Sequence, residues 1–304
     1  MTINEIKSYI DMSTNYYTSI KTVIFTGGEC SLLGIDTLTN AINYAQKKGL
    51  STRIVTNANW ASNKNKALFF ISQLAIAGLD ELNISTGDEH TSFVPITNVL
   101  YAIQAAITIK KIKSIVIAVE NQIGNKITNQ YVIDRIKEFL TPKEIKLSQD
   151  KLIIIADTWV RFSDIKSHCK FNDSNNTDNT NIKGCDNIFT SININPNGEM
   201  LSCCGLAAEY SPFLRLGQLN SNNNIKELYE NQFNDFLKIW LYTEGPSGII
   251  SYLEKHHVLK DNKHECSFCL NLLSDHNYIQ KLLNTEVTKI KAEFLKLDLK
   301  NITL

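Results

Sequence analysis

Between Thr22 and Ala156, five short runs rich in β-branched residues alternate with segments whose apolar residues recur at helical spacing. This alternation predicts repeated β–α units, in which strands joined by helices lie parallel in one sheet. Each run is mostly apolar, as expected of strands covered by helices. The predicted strands are residues 22–25, 52–55, 81–84, 114–119 and 152–155. An amphipathic helix is predicted from Ile3 to about Tyr17, before the first of them.

A polar stretch separates this region from the rest of the chain. Residues 171–181 are almost entirely Asn, Asp, Ser and Thr and have almost nothing to bury. We interpret residues 169–184 as a linker. The sequence therefore predicts a first domain over residues 1–168 and a second, smaller one over residues 185–304.

The second domain begins with the pattern of a β-hairpin. Residues 189–194 alternate with period two, residues 196–199 supply turn chemistry, and residues 200–203 form the returning strand. Helices are predicted after the hairpin, over residues 224–241 and 274–297.

Composition restricts the classes of partner. The chain has 304 residues, 43% of them hydrophobic, and its 31 basic residues balance 31 acidic ones, so no global field attracts nucleic acid or anionic lipid. The longest mostly apolar stretch, residues 67–79, is far shorter than the roughly 20 residues of a membrane span. The first residues resemble neither a basic leader nor a signal core, which predicts a cytoplasmic protein. In that reducing compartment the seven cysteines are expected to be metal ligands or inert core thiols, not disulfides.

Small polar residues follow three successive predicted strands, at the edge where parallel barrels place their active sites. These residues are Thr26-Gly27-Gly28-Glu29, then Thr56-Asn57, then Ser85-Thr86-Gly87-Asp88 with His90 beyond. Two glycines let backbone approach a ligand, and Glu29 adds an acceptor for an ammonium group. Taken alone, each motif has an ordinary interpretation, since Ser85 or Asp88 could cap a helix and His90 could lie on the surface. Their conjunction favours a ligand site.

In order and spacing, the segments 23–29, 56–57 and 84–88 resemble the radical S-adenosylmethionine (radical SAM) enzyme family, over about half of the chain. The resemblance implies an α/β fold with a partial six-stranded, TIM-like (βα) barrel that holds a four-iron–four-sulfur cluster. In that family the unique iron chelates the methionine group of S-adenosylmethionine, and reduction releases a 5′-deoxyadenosyl radical.

The same resemblance implies the nucleotide contacts. Gly27, Gly28 and Glu29 would contact the methionine amino group. Ser85 and Asp88 would face the methionine carboxylate or the ribose, and Asn57 completes the predicted cofactor-binding set. A proline usually follows the glutamate in this family, whereas this chain has Cys30 there, which we interpret as an inert thiol beside the cofactor.

The family's Cys-x-x-x-Cys-x-x-Cys motif is absent, because no cysteine precedes Cys30. The first barrel strand, which would carry that motif in its loop, is missing as well. Two explanations stay open: a start that lacks about 20 to 40 residues, estimated from the length of one strand and its loop, or a degenerate protein. We favour the first, because the cofactor-loop residues are intact.

A second constellation comprises Cys185, Cys203, Cys266 and Cys269. With Gly198, its spacing resembles the SPASM and twitch auxiliary-cluster domains of the same family. The hairpin would bring two of these cysteines to one end, and a tight Cys-x-x-Cys turn would offer the other two. Four thiolates suit a four-iron cluster or tetrahedral zinc alike, and only the family context selects iron.

Alternatives remain for individual cysteines. Cys204 competes with Cys203 for the ligand position, since neighbours on a strand point to opposite faces, and the spacing from Gly198 favours Cys203. Four unconnected buried cysteines are the plain structural interpretation. Cys169 lies beside the linker and is expected to be unrelated.

Our leading hypothesis from the resemblance is a radical SAM iron–sulfur enzyme that abstracts hydrogen from a peptide or protein side chain. Its implied partners are a peptide or small protein substrate and a reductant such as flavodoxin or ferredoxin. The rival hypothesis is a non-catalytic or degenerate protein that binds zinc or one cluster. Without the first strand, the edge beside residues 22–25 would be open to another chain, which favours the rival.

Overall fold

The computed structural model describes residues 1–120, 124–157, 183–219, 224–255 and 264–302. The chain forms two compact units, Met1–Trp159 and Val160–Leu304, and each is described by itself. The predicted linker, apart from Lys183 and Gly184, lies outside the described residues, as does Cys169.

The first unit is built on a five-stranded parallel sheet whose strands follow one another in sequence order. Its strands are β1 (Thr22–Phe25), β2 (Ser51–Thr56), β3 (Glu81–Thr86), β4 (Ser114–Glu120) and β5 (Leu152–Asp157). All five predicted strands are confirmed, and four of them extend one or two residues beyond the predicted ends. Its helices are α1 (Ile3–Tyr16), α2 (Ile35–Lys47), α3 (Lys64–Ala77), α4 (Asp88–Thr91), α5 (Ile96–Thr108), α6 (Asn129–Phe139) and α7 (Pro142–Ser148).

The two faces of this sheet differ in burial. One face packs into the hydrophobic core with the helices, and its residues Ile54, Leu82 and Ile117 are fully buried. On the other face Ile24 and Ile153 remain 46% and 50% exposed. The prediction of a sheet covered by helices is therefore right for one face only. The described strands form an open parallel α/β sheet, and the six-stranded barrel stays a prediction.

The second unit contains a three-stranded antiparallel sheet of β6 (Asn193–Ile194), β7 (Glu199–Leu201) and β8 (Arg215–Gln218). The predicted hairpin is confirmed as the pair β6–β7, with Gly198 at a φ of 76° in its turn. Its first strand begins four residues later than predicted, and Phe189, where the prediction begins, has a φ of 66°, which is incompatible with extended backbone.

The helices of the second unit are α8 (Leu206–Tyr210), α9 (Ile225–Asn231), α10 (Phe236–Leu253), α11 (Glu265–Ser274), α12 (His276–Leu283) and α13 (Val287–Ile302). One continuous helix over residues 224–241 is wrong, because Asp235 caps a new helix by accepting a hydrogen bond from the Lys238 amide. The helix predicted over 274–297 is likewise divided, into α12 and α13. No helix in the ranges that the structure describes combines the length and hydropathy of a membrane span.

A partly buried charge cluster fixes α13 to α10. The Glu244 carboxylate accepts hydrogen bonds from Trp240 Nε1 at 2.7 Å and Lys289 Nζ at 3.0 Å, and it also pairs with Lys296. Glu293, which is fully buried, pairs with the same two lysines. Burial alone would raise the pKa of Glu244, but the hydrogen bonds from Lys296, Trp240 and Lys289 outweigh it and lower the pKa to about 2.

Glu244 should therefore make the second unit sensitive to acid. Its lowered pKa stabilises the fold fully above the ordinary value of 4.5, and this contribution is lost as the pH falls towards 2. We expect Glu244→Gln to lower the free energy of unfolding at pH 7 by about 2 kcal/mol. The difference from wild type should shrink as the pH falls from 4.5 to 2 in urea denaturation followed by tryptophan fluorescence.

The matched control is Glu230→Gln, which removes an exposed carboxylate paired with Lys226 at 4.0 Å. Such an exposed pair contributes little, so this variant should match wild type at every pH. If the free energies of unfolding of Glu244→Gln and wild type differed by the same amount at every pH, this would contradict the expected role of Glu244.

Candidate functional site

Glu29 forms hydrogen bonds both within the loop after β1 and to the end of β2. Glu29 Oε1 accepts hydrogen bonds from the Ser31 amide at 3.0 Å and from Thr56 Oγ1 at 2.7 Å, while Oε2 accepts one from the Asn57 amide at 2.8 Å. A carboxylate offers about four acceptor directions, two on each oxygen, so the described bonds occupy three of them. The remaining direction, on Oε2, is compatible with the predicted ammonium contact. The main contribution of Glu29 within the chain is to join the ends of β1 and β2.

The two glycines before Glu29 are exposed, and their conformations differ. Gly27 has a φ of 108°, in the region that favours glycine. Gly28 has an ordinary backbone conformation, and no atom lies within 4 Å of the position that a Cβ would take there. Packing in the described structure therefore does not require glycine at position 28.

The end of β2 is held by a buried hydrogen-bond network. Thr56, which is 2% exposed, donates to Glu29 and accepts from the Ala58 amide at 3.2 Å and from Trp60 Nε1 at 3.0 Å. Ala58 has a φ of 60°, an uncommon conformation for a residue with a side chain. The side-chain amide of Asn98, on α5, donates to the Ala58 carbonyl at 3.3 Å. This network fixes the backbone on either side of the predicted site residue Asn57.

Sequence reasoning missed Thr56 and Asn98 as members of this network. In the sequence Thr56 stands out only as the small polar residue before Asn57. A signal for Asn98 existed, because a polar residue stands in the otherwise apolar segment of α5, and it is 7% exposed. Its partners lie 39 and 40 residues earlier in the chain, which local patterns do not reveal.

The end of β3 places Ser85 and Asp88 in different environments. Ser85 is 6% exposed and lies opposite Ala118 in the sheet register. Asp88 Oδ1 accepts from the Ile127 amide at 2.7 Å, and Oδ2 accepts from the Lys126 amide at 2.9 Å. Asp88 thus anchors the segment that leads into α6, and it does not cap α4, where no side-chain cap bond is formed.

His90 lies deeper than the surface position considered from the sequence. It is half-buried, and burial lowers its pKa, while the charges of Glu120, Glu29 and Glu89 oppose that shift. Glu120, at the end of β4, is 1% exposed and accepts a hydrogen bond from the Glu89 amide at 3.1 Å. The strand ends therefore carry several acidic groups around one imidazole.

Cys30 is buried beside this network. It is 3% exposed, and its thiol donates to the Val55 carbonyl at 3.2 Å. Burial, with a smaller contribution from the charge of Glu29, raises the pKa of Cys30 to about 12. The thiol is therefore protonated at neutral pH, in agreement with an inert role.

The four candidate metal ligands lie in the second unit. Cys203 follows β7 and is 7% exposed, whereas the neighbouring Cys204 is exposed. Cys266 and Cys269 lie in the first two turns of α11, on one side of a helix, and not in the tight turn that we predicted. His264 caps that helix, with Nδ1 accepting from the Cys266 amide at 3.2 Å.

The side chains of these cysteines lie close to one another. The sulfur atoms of Cys266 and Cys203 lie 3.5 and 3.6 Å from the position that a Cβ would take at Gly205, so they are close neighbours. Burial raises the pKa of Cys269, and the nearby Cys203, Cys266 and Cys185 raise it further. Thiols with raised pKa values are protonated until a metal displaces their protons.

Zinc and a four-iron cluster require different arrangements of the four thiols. In the part of the chain that the structure describes, no three His, Cys, Asp or Glu side chains are arranged to hold one metal ion. Tetrahedral zinc, with bonds of about 2.3 Å, would bring its sulfur ligands to about 4 Å from one another. In a four-iron cluster each thiolate binds a different iron, so the ligands lie farther apart. The four thiols therefore lie near one another without forming the arrangement of a single-ion site in the described structure.

Comparisons with known proteins are sparse. No protein-family model matches the sequence, and no curated protein matches it. Among solved structures, the chain is similar to Streptococcus suis SuiB in its crystal structure bound to S-adenosylmethionine. The two share 13% sequence identity with a TM-score of 0.43, over 88% of this chain and 70% of the other. A likeness of this size does not establish a family.

Proposed function

We propose that this chain binds S-adenosylmethionine at the carboxyl edge of its parallel sheet and an iron–sulfur cluster at its four cysteines, as a radical SAM-type protein that modifies a peptide or protein side chain by hydrogen abstraction. The hydrogen-bonded junction of Glu29, Thr56 and Asn57 carries this proposal, because it joins two predicted cofactor loops at one edge. Beside it lies Gly28, where the chain leaves open space.

Each residue at this edge has a distinct role in the proposal. The backbone carbonyls around Gly27 and Gly28 and the remaining acceptor direction of Glu29 receive the methionine ammonium group. Ser85 donates its hydroxyl to the methionine carboxylate or to the ribose. Asp88 already accepts two backbone amides, so the proposal assigns it the anchoring of the following loop and leaves the direct contact to Ser85.

The cluster site has a narrower role. Cys185, Cys203, Cys266 and Cys269 would hold one four-iron cluster, which supplies electron-transfer chemistry when bound. No cysteine precedes Cys30, so this sequence offers no ligand triplet for a radical-generating cluster, and no step of radical formation is assigned to its residues. A peptide or small protein substrate and a flavodoxin or ferredoxin reductant enter the proposal through the family resemblance alone.

Calorimetry and metal analysis of anaerobically purified protein test the proposal. We expect saturable binding of S-adenosylmethionine, weaker binding in Glu29→Gln, and uptake of about four iron atoms per chain after reconstitution with iron and sulfide. Glu81→Gln is the matched control, because Glu81 pairs with Arg53 at the start of β3, away from the cofactor edge. Zinc without iron, together with no nucleotide binding, would refute the proposal.

One observation favours the rival, a non-catalytic binding protein. Among the described strands, β1 pairs with β2 alone and lies at the edge of the sheet. An open parallel edge can accept a strand from another chain. The rival predicts that a partner protein, and not the nucleotide, protects residues 22–25 from hydrogen exchange.

A further inference from the structure

Helix α10 is broken at Gly245 and Pro246, near its middle. Gly245 has a φ of 70° and a ψ of 170°, and Pro246 has no amide hydrogen. In an unbroken helix the amides of residues 245 and 246 would donate to the carbonyls of Leu241 and Tyr242. Because Pro246 has no amide hydrogen, the Tyr242 carbonyl has no donor within α10.

The Tyr242 carbonyl and the nearby Leu241 carbonyl both accept hydrogen bonds from distant parts of the second unit. The Leu241 carbonyl accepts from the Cys185 amide at 2.8 Å. The Tyr242 carbonyl accepts from Lys300 Nζ, on α13, at 3.0 Å. The backbone of one candidate cluster ligand is thus attached directly to the break.

Gly184 makes this attachment possible. A Cβ at Gly184 would overlap the Tyr242 carbonyl oxygen and would lie 2.8 Å from its carbonyl carbon and 3.0 Å from the Thr243 oxygen. On the other side, a Cβ at Gly245 would overlap the Lys183 carbonyl oxygen. The two backbones therefore touch through a pair of glycines.

The break also releases a donor, and that donor is bound by α11. The Ser247 amide, which would donate to residue 243 in a continuous helix, donates to Glu265 Oε2 at 3.2 Å. Glu265 lies in the first turn of α11, next to Cys266. A carboxylate at this position caps the second half of α10 and interacts favourably with its dipole.

We infer that Glu265 is a positioning residue of the four-cysteine site: by capping the break in α10 it fixes the start of α11, and with it Cys266 and Cys269, relative to the Cys185 segment attached to the same break. This inference rests on the proposed cluster site. The charge of Glu265 also lies close to the site, because Glu265 directly precedes Cys266 at the start of α11. A negative charge beside a cluster opposes its reduction.

Two substitutions separate the position of Glu265 from its charge. Glu265→Ala removes the cap, so the start of α11 should be held less firmly. Iron uptake on anaerobic reconstitution with iron and sulfide should therefore fall at least about five-fold, which corresponds to about 1 kcal/mol of binding free energy. Glu265→Gln keeps an oxygen acceptor for the Ser247 amide, so it should load like wild type and give a cluster with a more positive reduction potential. Glu230→Ala, an exposed glutamate on α9, is the control and should match wild type in both measurements.

Hydrogen exchange of the metal-free protein gives a second measurement that does not depend on a cluster. The amides of Ser247 and Cys185 should exchange at least about ten-fold faster in Glu265→Ala than in wild type, because the break loses its cap. If wild type takes up no iron, the proposed cluster site fails, and hydrogen exchange alone decides the positioning role. The inference would be overturned if Glu265→Ala took up as much iron as wild type, or if the Ser247 and Cys185 amides kept their protection in this variant.

Discussion

Replacing Gly28 by valine should weaken binding of S-adenosylmethionine by at least about 100-fold, which corresponds to about 2.7 kcal/mol. The reason is steric, because the proposal brings the nucleotide against a backbone that lacks a side chain. The fold itself should tolerate the change, since nothing lies within 4 Å of the new Cβ and the Gly28 backbone is not left-handed. Calorimetry gives the affinity, and a thermal melt gives the stability.

The control for this substitution is Thr22→Val, which adds no backbone strain and lies at the opposite end of β1. Thr22 is exposed, so this variant should keep both the affinity and the melting temperature. A Gly28→Val protein that binds the nucleotide as tightly as wild type would place the nucleotide elsewhere. Lost binding together with a large drop in melting temperature would show that Gly28 has a structural role.

Replacing Gly184 by alanine should lower the free energy of unfolding of the second unit by about 3 kcal/mol or more, because the added methyl group meets backbone atoms that no rotamer change can move. The Cβ would lie 2.8 Å from the Tyr242 carbonyl carbon, a separation that real Cβ atoms do not adopt. Urea denaturation measures the loss. Iron uptake should fall with it, since Cys185 follows directly.

Gly205→Ala tests whether any added methyl group near the cysteines has the same effect. Its Cβ would lie 3.5 Å from Cys266 Sγ and 3.6 Å from Cys203 Sγ, which are ordinary contact distances, and its φ of −77° suits alanine. The free energy of unfolding should therefore stay within about 0.5 kcal/mol of wild type. Equal stability of the Gly184→Ala and wild-type proteins would contradict the described contact with α10.

The strands were predictable because their signal is local. Runs such as residues 114–119 are β-branched, short and separated by helical periods, and these properties determine both the strand and its parallel neighbours. The order of the strands follows from the same pattern. The open face of the sheet was not predictable, because an isoleucine such as Ile153 looks the same in sequence whether or not a helix covers it.

The candidate site was predictable at the level of loops and less so at the level of contacts. Residues at three strand ends could be placed at one edge from the rule for parallel sheets. The partners of Glu29 and Asp88 could not, because they lie 27 to 28 and 38 to 39 residues away in the chain. The position of Cys266 and Cys269 in a helix was missed although His264 is a helix-capping residue and the following residues are apolar.

The break in α10 has a consequence for the order in which the second unit folds. Two backbone groups at the break find their partners outside α10: the Ser247 amide binds Glu265, 18 positions away, and the Tyr242 carbonyl binds Lys300 on α13. A contact between residues this far apart in the chain costs loop-closure entropy when it forms. Local helix formation does not carry this cost. The cysteines are therefore gathered only once α10 and α11 have docked. A nascent chain would present its thiols singly, and the proposed cluster site would form only after the unit has folded.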